Sequence, residues 1–94
     1  MATSRKAVIV RTYSAGVHFG RLVERKGKEV KLADARRIWH WRGANTLNEI
    51  AMSGVGKGSR ISVSVPSIEL TEAIEIIPCS EAATKNLEAA EWDK

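Results

Sequence analysis

The 94-residue chain has little cysteine, histidine and proline, and these shortages exclude several classes of protein. Cys79 is the one cysteine, so an internal disulfide is excluded, and no spacing resembles a zinc site. His18 and His40 lie in strand-like segments without an i, i+4 partner, so the sequence suggests neither a metal centre nor a catalytic set. No apolar run is long enough for a signal peptide or a membrane helix. We therefore expect a protein of the reducing cytoplasm, not an enzyme, without cofactor, metal or membrane partner.

The charges are distributed unevenly along the chain. The formal net charge is +4, with basic residues dominating positions 5–60, whereas positions 69–93 hold seven acidic residues and only Lys85. This asymmetry predicts a basic part that faces an anion and an acidic part that lies away from it or covers a neighbouring basic surface. The alternative is a solvated surface with charges of both signs.

The length and the apolar pattern predict one domain over residues 1–94. We expect an α+β, mainly β fold, in which five or six short antiparallel strands form a small sheet or a partly open barrel. Strands are predicted over residues 6–13, 17–24, 60–65 and 73–77, with alternation restarting at Val30 and Leu32. Pro66 is expected to end the strand over residues 60–65. A chain of this size has one modest core, so we also expect a homo-oligomer.

Two short helices complete the prediction. Thr46 and Glu49 have the spacing of a capping box, which predicts a helix over about residues 46–53 that Gly54 ends. Ser80 is expected to cap a second helix over about residues 81–91, rich in strong helix formers. We expect this C-terminal helix to pack on a neighbouring subunit.

The segment RRIWHWR, residues 36–42, concentrates two of the three tryptophans and three arginines in seven positions. If it is extended, one face carries Arg37, Trp39 and Trp41, because alternate residues of a strand share a face. The other face then carries Arg36, Ile38 and His40. A bend near Asp34 would instead divide the cluster between surfaces.

Three interpretations of this segment remain open. Nucleobases stack on indole rings and arginine pairs with phosphate, so Trp39 and Trp41 are candidates for stacking on a base. Arg36, Arg37 and Arg42 are then candidates for neutralising phosphate. The alternatives are a core position for the tryptophans, with the arginines reaching water, and an oligomer interface anchored by both residue types.

The segment RTYSAGVHFG contains a second candidate site. Ser14 and Gly16 lie in a turn between two strands, where a hydroxyl and backbone N–H groups are able to form an anion-binding concavity. Arg11, Tyr13 and His18 flank that turn. The alternative is an ordinary hairpin turn.

The segment GVGKGS, residues 54–59, contains the third candidate. Lys57 is followed by glycine and the order is helix, loop, strand, so the segment is not a Walker A motif. We predict either a mobile loop whose Lys57 closes over an anion or a plain flexible connection.

The strings RTYSAGVHFG, GKEVKLADARRIWHWRGANTLNEIA and ELTEAIEIIP resemble a family of small proteins encoded by bacteriophages and prophages, known as a domain of unknown function. The resemblance covers about residues 8–78, and it implies no chemistry of its own. By analogy of size, source and composition, it suggests the anti-defence sponges, phage proteins that sequester nucleotide second messengers without cleaving them.

The sequence thus leads to one hypothesis with two alternatives. The first is a phage-encoded, non-enzymatic protein that sequesters a cyclic nucleotide or an ADP-ribose-type immune signal in the infected bacterial cell. The alternatives are a protein-binding inhibitor of a bacterial defence complex and a single-stranded nucleic-acid-binding protein, which would use the same aromatic surface.

Overall fold

Six strands and two helices make up the computed structural model, which describes residues 6–92. The mainly β, α+β prediction is confirmed, and so are the two short helices. In chain order the elements are β1 Ala7–Thr12, β2 Val17–Lys26, β3 Glu29–His40, α1 Leu47–Ser53, β4 Arg60–Ile61, β5 Val65–Leu70, β6 Ala73–Pro78 and α2 Glu81–Ala89.

The strands pair antiparallel in the order β4-β3-β2-β1-β6, and β5 pairs with β3 beside β4. Strands β4 and β5 therefore lie along one edge of β3, interrupted at residues 62–64. The prediction of a continuous strand over residues 60–65 was wrong in this middle part, where Val63 is 80% exposed. Pro66 does not end the strand but lies within β5, which is tolerated because an edge strand leaves one backbone side unpaired.

The sheet is strongly bent. Thr71 and Glu72 alone connect β5 to β6, although three strands separate these two in the pairing order. Four interstrand steps would span about 19 Å in a flat sheet, and this connection reaches at most about 11 Å. The β2–β3 hairpin therefore folds over one face of the sheet, and the Ala73 N–H donates to the Lys28 carbonyl at the hairpin turn (3.0 Å).

Bending gives the sheet a buried core on each face. The first core lies under the helices and includes Ile9, Phe19, Ile38, Ile50, Ile61 and Leu87. The second core lies on the other face and includes Val8, Val10, Val30, Leu32, Ala35 and Leu70. Strand β1 contributes alternate residues to both cores, which explains its unbroken apolar run AVIV.

Strand β3 changes face twice because it contains two irregularities. Four residues of β3, 33–36, lie opposite three residues of β2, 19–21, so β3 contains one extra residue there. Asp34 accommodates it by adopting a left-handed backbone conformation, with φ 51°. A Cβ on Gly20 would lie 3.1 Å from Leu32 Cβ, so glycine permits the close approach there. The second irregularity is at Trp39, because Ile38 and His40 face the adjacent residues Ile61 and Arg60.

Both helices begin at the predicted caps. The Thr46 hydroxyl accepts from the Glu49 N–H (3.2 Å), and Gly54 follows the last turn of α1. Ser80 caps α2 by accepting from the Ala83 N–H (3.0 Å). The buried side of α2, with Ala83 and Leu87, packs within its own chain, so contact with a neighbouring subunit stays a prediction for its exposed side.

Candidate ligand-binding surface

Three side chains from separate parts of the chain meet at the sheet edge formed by β4. We call Trp39, Arg60 and Trp92 the tryptophan cluster. The ring centroids of Trp39 and Trp92 lie 5.3 Å apart with their planes tilted by 32°. Arg60 Cζ lies 5.5 Å from the Trp39 ring centroid and 5.7 Å from that of Trp92. Since Trp39 is 59% and Trp92 45% exposed, ring surface is presented to solvent beside the half-buried Arg60.

The backbone explains how the cluster assembles. Trp39 is the extra residue of the second β3 irregularity, so it leaves the alternation that places Ile38 in the first core. Arg60 pairs with β3 on one side and forms an isolated antiparallel bridge with Trp92 on the other. The backbone of Arg60 therefore lies between those of the two tryptophans, and their long side chains meet above it.

Trp41 does not join the cluster. It packs partly buried against the first core, on the side of the helices. The shared face expected for Arg37, Trp39 and Trp41 was therefore wrong, because the extra residue at Trp39 returns Trp41 to the face of Ile38. Division of the segment between two surfaces, the other expectation, describes the structure better.

Arg36 is bound to the backbone at the end of α2. Its Nε donates to the Ser62 carbonyl (2.7 Å), and its Nη1 donates to the carbonyls of Leu87 (2.7 Å) and Glu88 (3.1 Å). Its Nη2 donates to the Ala90 carbonyl (2.5 Å). The last turn of α2 has no basic residue, so Arg36 supplies a cation to the negative end of the helix dipole. Burial lowers the pKa of Arg36, and the nearby Glu91 opposes that change. Most of its donors are thus committed inside the fold.

Arg37 and His18 form a pair on the other face of the sheet. Arg37 Nε donates to His18 Nε2 (3.3 Å), so the neutral imidazole carries its hydrogen on Nδ1. Within residues 6–92, buried Nδ1 has no hydrogen-bond partner. Burial first, and then the charge of Arg37, lower the pKa of His18 from 6.5 to about 4. His18 is therefore uncharged at neutral pH and adds no positive charge for an anion.

Two carboxylates, those of Glu72 and Glu75, lie beside the turn at residues 13–16. The Ser14 hydroxyl donates to Glu72 Oε1 (2.7 Å), and Arg11 forms an ion pair with Glu75 (3.6 Å). Gly16 uses its carbonyl to accept from the Thr12 N–H and has φ 87°, as a tight turn requires. Tyr13 is 79% exposed beside this acidic group. The geometry fits the alternative of a hairpin turn better than an anion-binding concavity.

The glycine loop, residues 54–59, is firmly bound and not the flexible connection that its composition suggested. The Asn86 side chain accepts from the Val55 N–H (2.8 Å) and donates to the Val55 carbonyl (3.0 Å). The Ser59 hydroxyl accepts from the Arg42 N–H (2.9 Å). A Cβ on Gly54 would lie 2.3 Å from Asn86 Oδ1, so this position excludes larger residues. Closure of a mobile loop over an anion finds no support in these contacts.

Lys57 nevertheless lies beside the tryptophan cluster. An open groove of about 540 Å³, the loop groove, is lined by the glycine loop, the end of α2 and Trp92. Lys57 is exposed there, and the aliphatic part of Arg42 lies close to Gly58. The carboxylate of Glu91 lines the same groove and reduces its positive potential. The groove thus contains one predicted cation, Lys57, together with one opposing charge, Glu91.

Sequence reasoning missed Trp92 and Arg60. Trp92 follows an acidic helical segment, where an isolated large aromatic residue was the available signal, and Arg60 opens a segment interpreted as an ordinary strand. Neither local pattern indicates that a bridge joins the two backbones.

In the described part of the chain, no group of three or more His, Cys, Asp or Glu residues is suited to hold a metal ion. Burial raises the pKa of the Cys79 thiol to about 11, so it stays protonated.

Comparison with known proteins identifies the family but not an activity. A family model described as "Domain of unknown function (DUF6948)" matches residues 5–87. The chain belongs to this family. No curated protein and no solved structure matches the chain. The family match includes Trp39 and Arg60 and ends before Trp92. Neither helix described within residues 6–92 has the length and apolar character needed to cross a membrane.

Proposed function

We propose that the protein binds a nucleotide-type anion at the tryptophan cluster and holds it without converting it. The observation that supports this is the exposure of Trp39 and Trp92 with the Arg60 guanidinium near both rings. Stacking on indole is favourable for any nucleobase, because each base has a flat π face. A guanidinium beside the stack attracts the phosphate that the base carries.

The surrounding charges favour a small ligand with few phosphates. Lys57 of the glycine loop lines the groove beside the cluster, and the Glu91 carboxylate lines the same groove. A polyanion needs a continuous basic face, and this mixed surface is unlike one. A base stacked on Trp39, with its phosphate towards Lys57 and Arg60, satisfies both the ring surface and the local cations.

Together with the resemblance to small phage and prophage proteins, these features support a more specific role. In this role, the protein is a phage-encoded sponge that sequesters a cyclic nucleotide or an ADP-ribose-type immune signal in the host cytoplasm. Sequestration requires burial and slow release of the ligand. A second subunit that covers the exposed rings would provide that burial.

A thermal-shift screen tests the binding class. The wild-type protein is mixed with cyclic mononucleotides, cyclic dinucleotides, cyclic trinucleotides and ADP-ribose isomers, and Tm is followed as the concentration rises. One of them should raise Tm progressively, because a ligand that binds only the folded state stabilises it by mass action. Chromatography after denaturation should recover that nucleotide unchanged. A converted product would contradict sequestration, and no shift with any compound would contradict nucleotide binding.

Protein binding is the second candidate, favoured by the exposure of Val63 close to the same edge. Val63 is 80% exposed and lines a groove with Trp92. Exposed tryptophan and arginine are frequent anchors of protein interfaces. Light scattering separates the cases: dissociation of an oligomer on changing Trp39→Ala, without any nucleotide-induced Tm shift in the wild type, would favour the interface.

A further inference from the structure

Residues 90–92 carry the chain from the end of α2 back to the sheet, and we call them the C-terminal strap. Ala90 ends α2 in an extended conformation, at φ −66° and ψ 148°. Two residues later Trp92 forms the bridge with Arg60 and places its ring on that of Trp39. Trp92 therefore covers part of the ring surface on which the proposed function depends.

Within residues 6–92, the backbone of the strap pairs with the sheet over a shorter length than the neighbouring strands do. Its backbone pairs with the sheet through an isolated bridge, whereas β3 and β5 pair over five register positions. Arg36 holds the Ala90 carbonyl at the start of the strap. Among residues 6–92, Trp92 meets the sheet through this isolated bridge and through ring and cation contacts with Trp39 and Arg60. Such a terminus is able to open locally while the cores remain folded.

The spacing of the two rings leaves no space for a third ring between them. Their centroids lie 5.3 Å apart, whereas insertion of a flat ligand needs roughly 7 Å, because each stacked interval takes about 3.5 Å. A ligand that uses the covered face of Trp39 must therefore replace Trp92.

We propose that the C-terminal strap is a displaceable cover of the ligand site, in which Trp92 occupies the stacking position on Trp39 that a flat ligand takes. This regulation rests on the proposed function. The ligand and the strap then compete for the same face of Trp39. The apparent affinity is the affinity of the open state multiplied by the fraction of molecules in which the strap is open.

The strap also divides two grooves. The loop groove lies on one side, and a second groove of about 820 Å³, lined by Arg36, Ile61 and residues 62–64, lies on the other. Glu91 and Trp92 line both grooves. Displacement of the strap would join the grooves and move the Glu91 carboxylate away from the cations. An anion therefore gains both space and a more positive potential from the open state.

The variant Trp92→Ala tests the strap. Affinities of wild type and variant are measured by titration calorimetry with ADP-ribose and cyclic di-AMP. In parallel, the flat aromatic sulfonate 8-anilinonaphthalene-1-sulfonate is titrated by fluorescence, so the strap is tested even without a nucleotide ligand. Removal of the competing ring should tighten binding roughly tenfold.

The double variant Trp39→Ala/Trp92→Ala should lose that gain, because the uncovered face is then absent. Met52→Ala, which removes an exposed apolar side chain from α1, serves as the control and should bind as the wild type does.

The outcomes separate the strap from the proposed function. Tighter binding of a nucleotide by Trp92→Ala supports both. Tighter binding of the dye alone supports the displaceable strap and contradicts nucleotide binding. Weaker binding by Trp92→Ala would show that Trp92 contacts the ligand directly, which overturns the proposal that it covers the site. Unchanged affinity, or no binding of any probe by either protein, would overturn it as well. Tm and circular dichroism of each variant establish that the fold is retained.

Discussion

Arg36 and Trp39 are three residues apart on the same strand, and the two regions around them have opposite roles. Around Arg36, the helix-facing side of β3 is bound into the fold through the end of α2, Ile38 and Trp41. Around Trp39, the strand edge presents exposed rings to solvent, with the half-buried Arg60 guanidinium beside them. A segment of uniform composition is thus divided by one irregular residue into a structural part and a surface part.

The largest expected effect tests the structural part. Changing Arg36→Ala removes four hydrogen bonds to backbone carbonyls, so the free energy of unfolding should fall by about 4 kcal/mol, at about 1 kcal/mol for each bond. Arg36→Lys should recover little of this, because an ammonium lacks the planar fork that reaches carbonyls on two sides. Urea unfolding measures both.

The adjacent arginine is a matched control for this prediction. Arg37 is exposed and makes one long side-chain bond to His18, so Arg37→Ala should cost less than about 1 kcal/mol. Equal losses for Arg36→Ala and Arg37→Ala would remove the distinction between the two sides of the strand.

The next effect is a loss of stability in mild acid, caused by His18. Its pKa is about 4 in the folded protein and 6.5 as the ordinary value, so the unfolded chain takes up the proton first. The contribution of His18 to the free energy of unfolding is fully present above pH 6.5. It declines as the pH falls and is lost by about pH 4. The total is about 3 kcal/mol.

Urea unfolding between pH 7 and pH 4 measures this effect. The control is His40→Gln, which removes the exposed histidine near Trp39 and should retain the slope. His18→Gln should remove the part of the slope due to His18. An unchanged slope in His18→Gln would show that the histidine does not carry the pH dependence.

Local features of the fold were predictable, but those that build the site were not. Thr46 and Ser80 mark both helices because a cap is a contact between residues three apart. Strand β1 is evident from its β-branched run. The irregularities of β3 depend instead on distant partners, such as Gly20 and the edge residue Ser62, whose hydroxyl accepts from the Arg37 N–H (2.7 Å).

The site residues likewise depend on contacts between distant parts of the chain. The sequence left open whether Trp39 is a stacking surface, a core residue or part of an interface, and the structure shows its side chain exposed. Its partner Trp92 lies more than fifty positions away, and alternation within residues 36–42 contains no information about that contact. Arg36 was predicted to meet phosphate because it is an arginine beside tryptophans, yet the end of α2 occupies its donors.

The comparison of Trp39→Ala with Trp41→Ala tests the central claim most directly. Both variants lose one indole from the same segment, and for each the free energy of unfolding and the affinity for the nucleotide found by thermal shift are measured. Trp39→Ala should leave stability within about 0.5 kcal/mol of the wild type and weaken binding by roughly ten- to a hundredfold, because one stacking surface is lost. Trp41→Ala should lower stability by about 2 kcal/mol, since it packs partly buried against the first core, and change affinity little in the molecules that stay folded. Retained binding by Trp39→Ala, or loss of its fold, would contradict a surface role for this tryptophan.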